Sequence, residues 1–172
     1  GSSRGMNRCA FAYGGDVPRR LLVLPLAALL LAGCATEQPP PQVTFTAGGA
    51  SAVARPAQYC DLELTECLTD VAAPVTLSVP PDTPLQVSVP PEIAQTPWQV
   101  VFSYADAAGA TVDERSPVFA PDERADWTLS PAPTGRLLTA EVQQYGPPPR
   151  PNPQSGELEF PIRASWVLTA TD

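Results

Sequence analysis

Histidine is absent from all 172 residues, and so is lysine. Without histidine no Ser-His-Asp or Cys-His triad can be assembled, and the His-rich sites of most catalytic zinc proteins are excluded. Without lysine all ten basic residues are arginine, which with the Ala, Pro and Val richness suggests GC-rich coding. Beyond residue 33 six arginines face seventeen Asp and Glu residues, a net charge of −11, more negative than the −8 of the whole chain. Such a surface repels nucleic acid and anionic headgroups, because phosphate binding is driven by clustered Lys and Arg. Helix-like stretches are scarce as well. Twenty-three prolines mostly punctuate short apolar runs, where they act as turn and stop signals.

Cysteine is sparse too, with four residues in all. Cys34 follows Leu31-Ala32-Gly33, and that triplet closes the apolar run of residues 21–30, itself preceded by Arg19-Arg20. A positive region, an apolar region and small residues before a cut make a secretory signal. A cysteine directly after Leu-Ala-Gly makes it a lipoprotein signal, in which the Cys34 thiolate takes a diacylglyceryl group and becomes the mature amino terminus. Two acyl chains give stable anchoring, where one alone is marginal. A membrane-spanning helix is the rival reading, but the apolar part, residues 21–32, is about a dozen residues where roughly 20 are needed, and Pro25 inside it disfavours a long straight helix. A cleaved, non-lipid signal is the other alternative.

This gives three segments: 1–33 as the signal peptide, 34–42 as the lipidated cysteine and a proline-rich tether, and 43–172 as the folded domain. Gly1 precedes an internal Met6, so residues 1–17 are expected to be a spurious extension, and Cys9 falls ahead of the signal. The tether, if extended, reaches about 20–25 Å at 3.1 Å per residue. The expected place is the extracytoplasmic face of the cell membrane.

Cys60 and Cys67 remain in the exported part. An even pair in an oxidising compartment reads as a disulfide, worth about 2.5 kcal/mol by loop entropy. A redox or metal pair is the alternative, although such pairs are usually two residues apart.

Period-two alternation dominates after residue 42. It runs through Val43, Phe45 and Ala47; Val75, Leu77 and Val79; Leu85, Val87 and Val89; and Trp98, Val100, Phe102 and Tyr104. A strand is expected over residues 136–144. The longest alternation is Leu158, Phe160, Ile162, Ala164, Trp166 and Leu168, with Pro161 marking an edge or a break. Residues 105–109 read as a hairpin turn. Residues 146–156 read as a stiff proline-rich excursion or, more simply, a solvated hairpin loop. Ser78-Val79-Pro80-Pro81 recurs as Ser88-Val89-Pro90-Pro91, which suggests two strands each stopped by a proline pair that discourages edge pairing. The expected fold is all-β, an immunoglobulin-like β-sandwich of about seven to nine antiparallel strands. The antibody hallmark of a Trp between distant bridged cysteines is missing.

The stretch from Gln58-Tyr59-Cys60-Asp61 through Cys67, the paired Val-Pro-Pro segments and Thr96-Pro97-Trp98-Gln99-Val100 resembles a family of exported actinobacterial lipoproteins known only as a domain of unknown function. The resemblance covers most of residues 42–172. It implies a secreted, membrane-anchored protein and carries over no catalytic residue.

Only acidic clusters remain as candidates for chemistry: Asp61, Glu63 and Glu66; Asp113 and Glu114; Asp122, Glu123 and Asp126. None has the Asp-x-Asp-x-Asp-Gly spacing of a calcium loop, and a glycosidase pair needs two facing carboxylates that spacing alone does not supply. Solvated loops explain them better, and neither a catalytic residue nor a metal or cofactor is expected. Trp98, Trp127, Trp166, Tyr104 and Tyr145 are candidates for a sugar platform. The alternation assigns the tryptophans to the core and leaves Tyr59 and Tyr145 as the better surface residues. The expected function is therefore non-catalytic: an accessory or scaffolding lipoprotein that binds another envelope protein. A module for wall glycan or lipid is the alternative, and it requires a groove or cavity between the sheets.

Overall fold

The computed structural model describes residues 38–130 and 135–172; the expected signal, Cys9, Cys34 and residues 131–134 lie outside them. Alternation builds the first hairpin. β1 (Val43–Ala47) buries Val43, Phe45 and Ala47 on one face and pairs with β2 (Ala50–Ala54). Gly48 and Gly49 make the two-residue turn with φ of 55° and 82°, the left-handed pair that a tight hairpin requires. β3 (Gln58–Cys60) and β4 (Cys67–Thr69) follow as a second, shorter hairpin. β5 (Val75–Ser78) and β6 (Leu85–Ser88) come next, then the single-turn helix α1 (Pro91–Ala94). β7 (Trp98–Ala105) and β8 (Thr111–Arg115) form the expected hairpin, whose turn is held by Asp106 accepting from the Ala108 and Ala110 amides. β9 (Asp126–Leu129), β10 (Arg136–Tyr145), β11 (Arg150–Pro151), β12 (Leu158–Glu159) and β13 (Ile162–Thr171) complete the chain.

The fold is an all-β sandwich. One sheet runs β2-β1-β6-β9, and the other runs β4-β3-β13-β10-β7-β8 with β5 also paired to β13. Phe45, Leu85 and Val87 of the first meet Trp98, Val100, Val142, Trp166 and Leu168 of the second in one buried cluster. Removing an aromatic of this depth costs about 3–5 kcal/mol. Ile93 of α1, fully buried, joins the same cluster. Gln144, also buried, donates to the Glu92 carbonyl at 3.1 Å and the Thr96 hydroxyl at 3.0 Å, tying the helical turn to β10.

Four expectations change. Among the described residues the strand segments number thirteen, several only two or three residues long, and β5 lies parallel to β13. Period-two patterning assigns faces, not strand direction, so it could not distinguish the two. The final alternation is not one strand: Pro161 separates β12 from β13, and Leu158 and Phe160 are exposed instead of sharing the inward face of Trp166. The proline pairs also differ from one another. The first carries the chain from β5 in one sheet to β6 in the other through a turn at Pro80–Thr83 with Asp82 left-handed. The second opens α1, with Pro91 in the first turn, where a missing N–H costs nothing. Since β6 lies between β1 and β9, the second pair protects no edge. Lastly, the tether is not free to its end, because the Pro41 carbonyl accepts the Trp166 indole N–H at 2.9 Å.

Candidate functional site

Cys34 lies outside the described residues. Cys60 and Cys67 are bridged, directly opposite one another on β3 and β4 with Cα atoms 4.0 Å apart. Inside the ring Asp61 accepts from the Thr65 amide at 2.7 Å, the Thr65 hydroxyl at 2.6 Å and the Glu66 amide at 3.2 Å. The Thr65 hydroxyl, with the loop amides helping, holds the Asp61 carboxyl below its ordinary range. Arg163 donates to the Cys60 carbonyl at 2.9 Å and sets its guanidinium 5.1 Å from the centre of the Tyr59 ring. The bridge, Asp61 and Arg163 thus form a structural knot.

Two of the other acidic residues serve local geometry as well. Glu114 accepts the Tyr104 hydroxyl at 3.1 Å, and that bond to a carboxylate pushes the Tyr104 phenol up. Glu123 accepts the Ala120 amide at 2.8 Å. Among the described residues no three His, Cys, Asp or Glu side chains gather in a metal-binding group.

The five residues considered for a sugar platform do not form one. Trp98 and Trp166 are fully buried, with Trp98 against Phe119 at 4.6 Å. Trp127 is half-buried, 6.0 Å from Phe102 and 6.5 Å from Phe119. An opening between the sheets beside Leu85, Phe102 and Tyr104 measures about 130 Å³, small against the roughly 300–1,000 Å³ of ordinary small-molecule sites.

A larger groove, of about 740 Å³, lies on the outward side of the larger sheet. Four separate stretches build it: Pro97 and Gln99; residues of the segment after β8, among them Val118 and Pro121; Tyr145 to Pro149; and Phe160 with Pro161. Gly146 lets the end of β10 pack closely on β13, since a Cβ there would sit 3.1 Å from the Arg163 Cβ. The Gly146 amide donates to Pro161 and that of Tyr145 to Pro97, at 2.9 Å each. Phe160 meets Tyr145 edge-on at 6.1 Å, and both Phe160 and Val118 are more than half exposed. Partial burial pushes the Tyr145 phenol up, and the Arg115 charge partly offsets this.

Gln99 lines this groove yet is only 4% exposed. Its amide donates to Gln143 at 3.0 Å, Gln143 donates to Glu141 at 3.2 Å, and the Gln99 Oε1 has no partner. The proline-rich stretch is a hairpin. β11 and β12 pair, and Asn152 accepts from the Gln154 and Ser155 amides in the turn. Of the two tyrosines expected at the surface, Tyr145 is half-buried at the groove and Tyr59 is half-buried against the core. Val118 and Phe160 were missed, although an apolar residue in a proline-dense stretch is a usable signal.

No curated protein and no solved structure is detectably similar to the chain. The family described as "Protein of unknown function (DUF2771)" matches residues 36–170, from ahead of β1 almost to the end of β13, and the chain belongs to that family.

Proposed function

We propose that the mature chain is a non-catalytic lipoprotein, held by lipid on Cys34 at the extracytoplasmic face of the cell membrane, and that it docks another envelope protein. The observation that carries the docking is the outward groove, apolar, lined by rigid prolines and floored by Gln99. A groove of this kind suits an apolar, extended polypeptide segment: ring faces and prolines supply area at little entropic cost, and Arg115 supplies one cation. The histidine-free composition and the signal ending in Cys34 support the rest of the reading. The lysine-free composition supports an actinobacterial source.

A photo-crosslinking residue at Val118, in cells, tests the docking. One membrane protein should be recovered reproducibly, and Phe160→Ala or Tyr145→Ala should reduce its yield. Recovery of nothing, or a yield indifferent to both substitutions, would remove the groove from the proposal. Cys34→Ala should release the protein or leave its signal uncut. Intact mass of the mature amino terminus reads the anchor directly, and an unmodified residue other than Cys34 there would refute it.

A further inference from the structure

The described chain begins beside an apolar recess. Pro39 and Pro40 line a hollow of about 260 Å³ together with Tyr59 and Leu68. Leu68 is 74% exposed and Val71, just beyond it, is 92% exposed. The Trp166 bond to Pro41 fixes the tether to this face, so only four residues separate Cys34 from Pro39. Five Cα steps span at most about 18 Å. The larger sheet has six strands in line from β4 to β8, a width of about 24 Å at 4.8 Å per spacing. A lipid on so short a lead holds the β3–β4 edge nearest the bilayer and the groove near Val118 toward the far edge.

We infer that this tether face lies on the bilayer, with Leu68 and Val71 entering the boundary between headgroups and acyl chains; the inference rests on lipid at Cys34. Exposed apolar side chains gathered at the exit of a lipid tether gain by leaving water. Among the described residues the cations near the recess are already engaged, Arg55 with Asp70 at 3.1 Å and Arg163 with the Cys60 carbonyl and the Tyr59 ring. Asp61, Glu63 and Glu66 on the adjoining loop disfavour an anionic surface. The contact is therefore apolar, and zwitterionic phosphatidylcholine is the matching surface.

The test uses full-length lipidated protein in phosphatidylcholine vesicles with brominated acyl chains, which quench nearby tryptophan. Trp98 and Trp166, buried in the core, and the half-buried Trp127 give a background common to every variant, which is subtracted with the unsubstituted protein. Leu68→Trp and, separately, Val71→Trp should be quenched at least about twofold more than Val118→Trp. Both positions are exposed enough for the substitutions to leave the fold intact. Equal quenching at the three positions, or stronger quenching at Val118→Trp, would overturn the inference. Intact mass separates the two levels. A chain without lipid on Cys34 overturns the anchored reading and this orientation with it, while a lipidated chain with unquenched Leu68→Trp overturns the orientation alone.

Discussion

Reducing the Cys60–Cys67 bridge measures how firmly one edge of the larger sheet is held. The bridge closes a short ring between opposed residues of β3 and β4, and on the chain-entropy account an eight-residue ring contributes about 2.5 kcal/mol. Two contacts carry that constraint into the cooperative fold: β3 pairs with β13, and Arg163 of β13 donates to the Cys60 carbonyl. One contact lowers the effect of reduction, because Asp61 still gathers the Thr65 and Glu66 amides when the sulfurs part. The expected loss is therefore about 1.5–2.5 kcal/mol. For a domain of about 135 residues the unfolding entropy is about 0.28 kcal/mol/K, so the midpoint should fall by about 5–9 °C. Differential scanning calorimetry with and without a phosphine reductant reads this, with thiol titration confirming that the bridge has opened. A Cys60→Ala, Cys67→Ala double variant should match the reduced protein, lowered slightly further because Cys60 is buried. A midpoint that moves by less than about 1 °C would show that the β3–β4 edge melts apart from the core, and would refute the bridge as a global constraint.

Three further outcomes follow from the same geometry. The folded state depresses the Asp61 carboxyl, so its contribution is present above the ordinary carboxylate range and is lost as pH falls through the lowered value; Thr65→Val should raise its midpoint in an NMR titration, and no change would refute the hydroxyl as the main cause. The folded state raises the Tyr104 phenol, so that contribution is complete below the ordinary tyrosine value and lost as pH rises through the raised one. Glu114→Gln should move its ultraviolet titration down toward the ordinary value, and an upward move would contradict the assignment. Gln144→Ala should cost about 2–4 kcal/mol in urea unfolding, from the cavity and the stranded Glu92 carbonyl; a loss under about 1 kcal/mol would mean that water replaces the amide.

The sandwich was legible wherever one face is buried and large residues alternate. β1, β5, β6 and β7 stand close to where Phe45, Leu77, Val87 and Trp98 put them. β2, with Ala-Ser-Ala-Val-Ala, has too little contrast to show a period, and β4 exposes all three of its residues. Partner and direction were illegible for a different reason. Alternation says which residues share a face, and a parallel β5–β13 pair satisfies the same pattern as an antiparallel one. Parity also fails across a break: Phe160 and Trp166 have matching parity, but Pro161 ends the ladder between them, so one is exposed and the other buried.

The groove could not be read from any single stretch, because residues near 97, 118, 146 and 160 meet only after β7, β8, β10 and β13 have paired. What local sequence did contain was its stiffness. Prolines have little conformational freedom to lose, so a surface walled by Pro97, Pro121, the run 147–149 and Pro161 keeps its shape with nothing bound. Buried side-chain amides are normally satisfied, and Gln99 has an acceptor without a partner on the outward side of its sheet. Gln99 shares the groove with Pro97, Pro121 and Pro161, which sets an unpaired acceptor among residues of little conformational freedom. A partner segment that lies along the proline wall and brings an N–H to Gln99 as its side chain turns outward would use both features at once, and neither the core nor the tether face needs to change for it to bind.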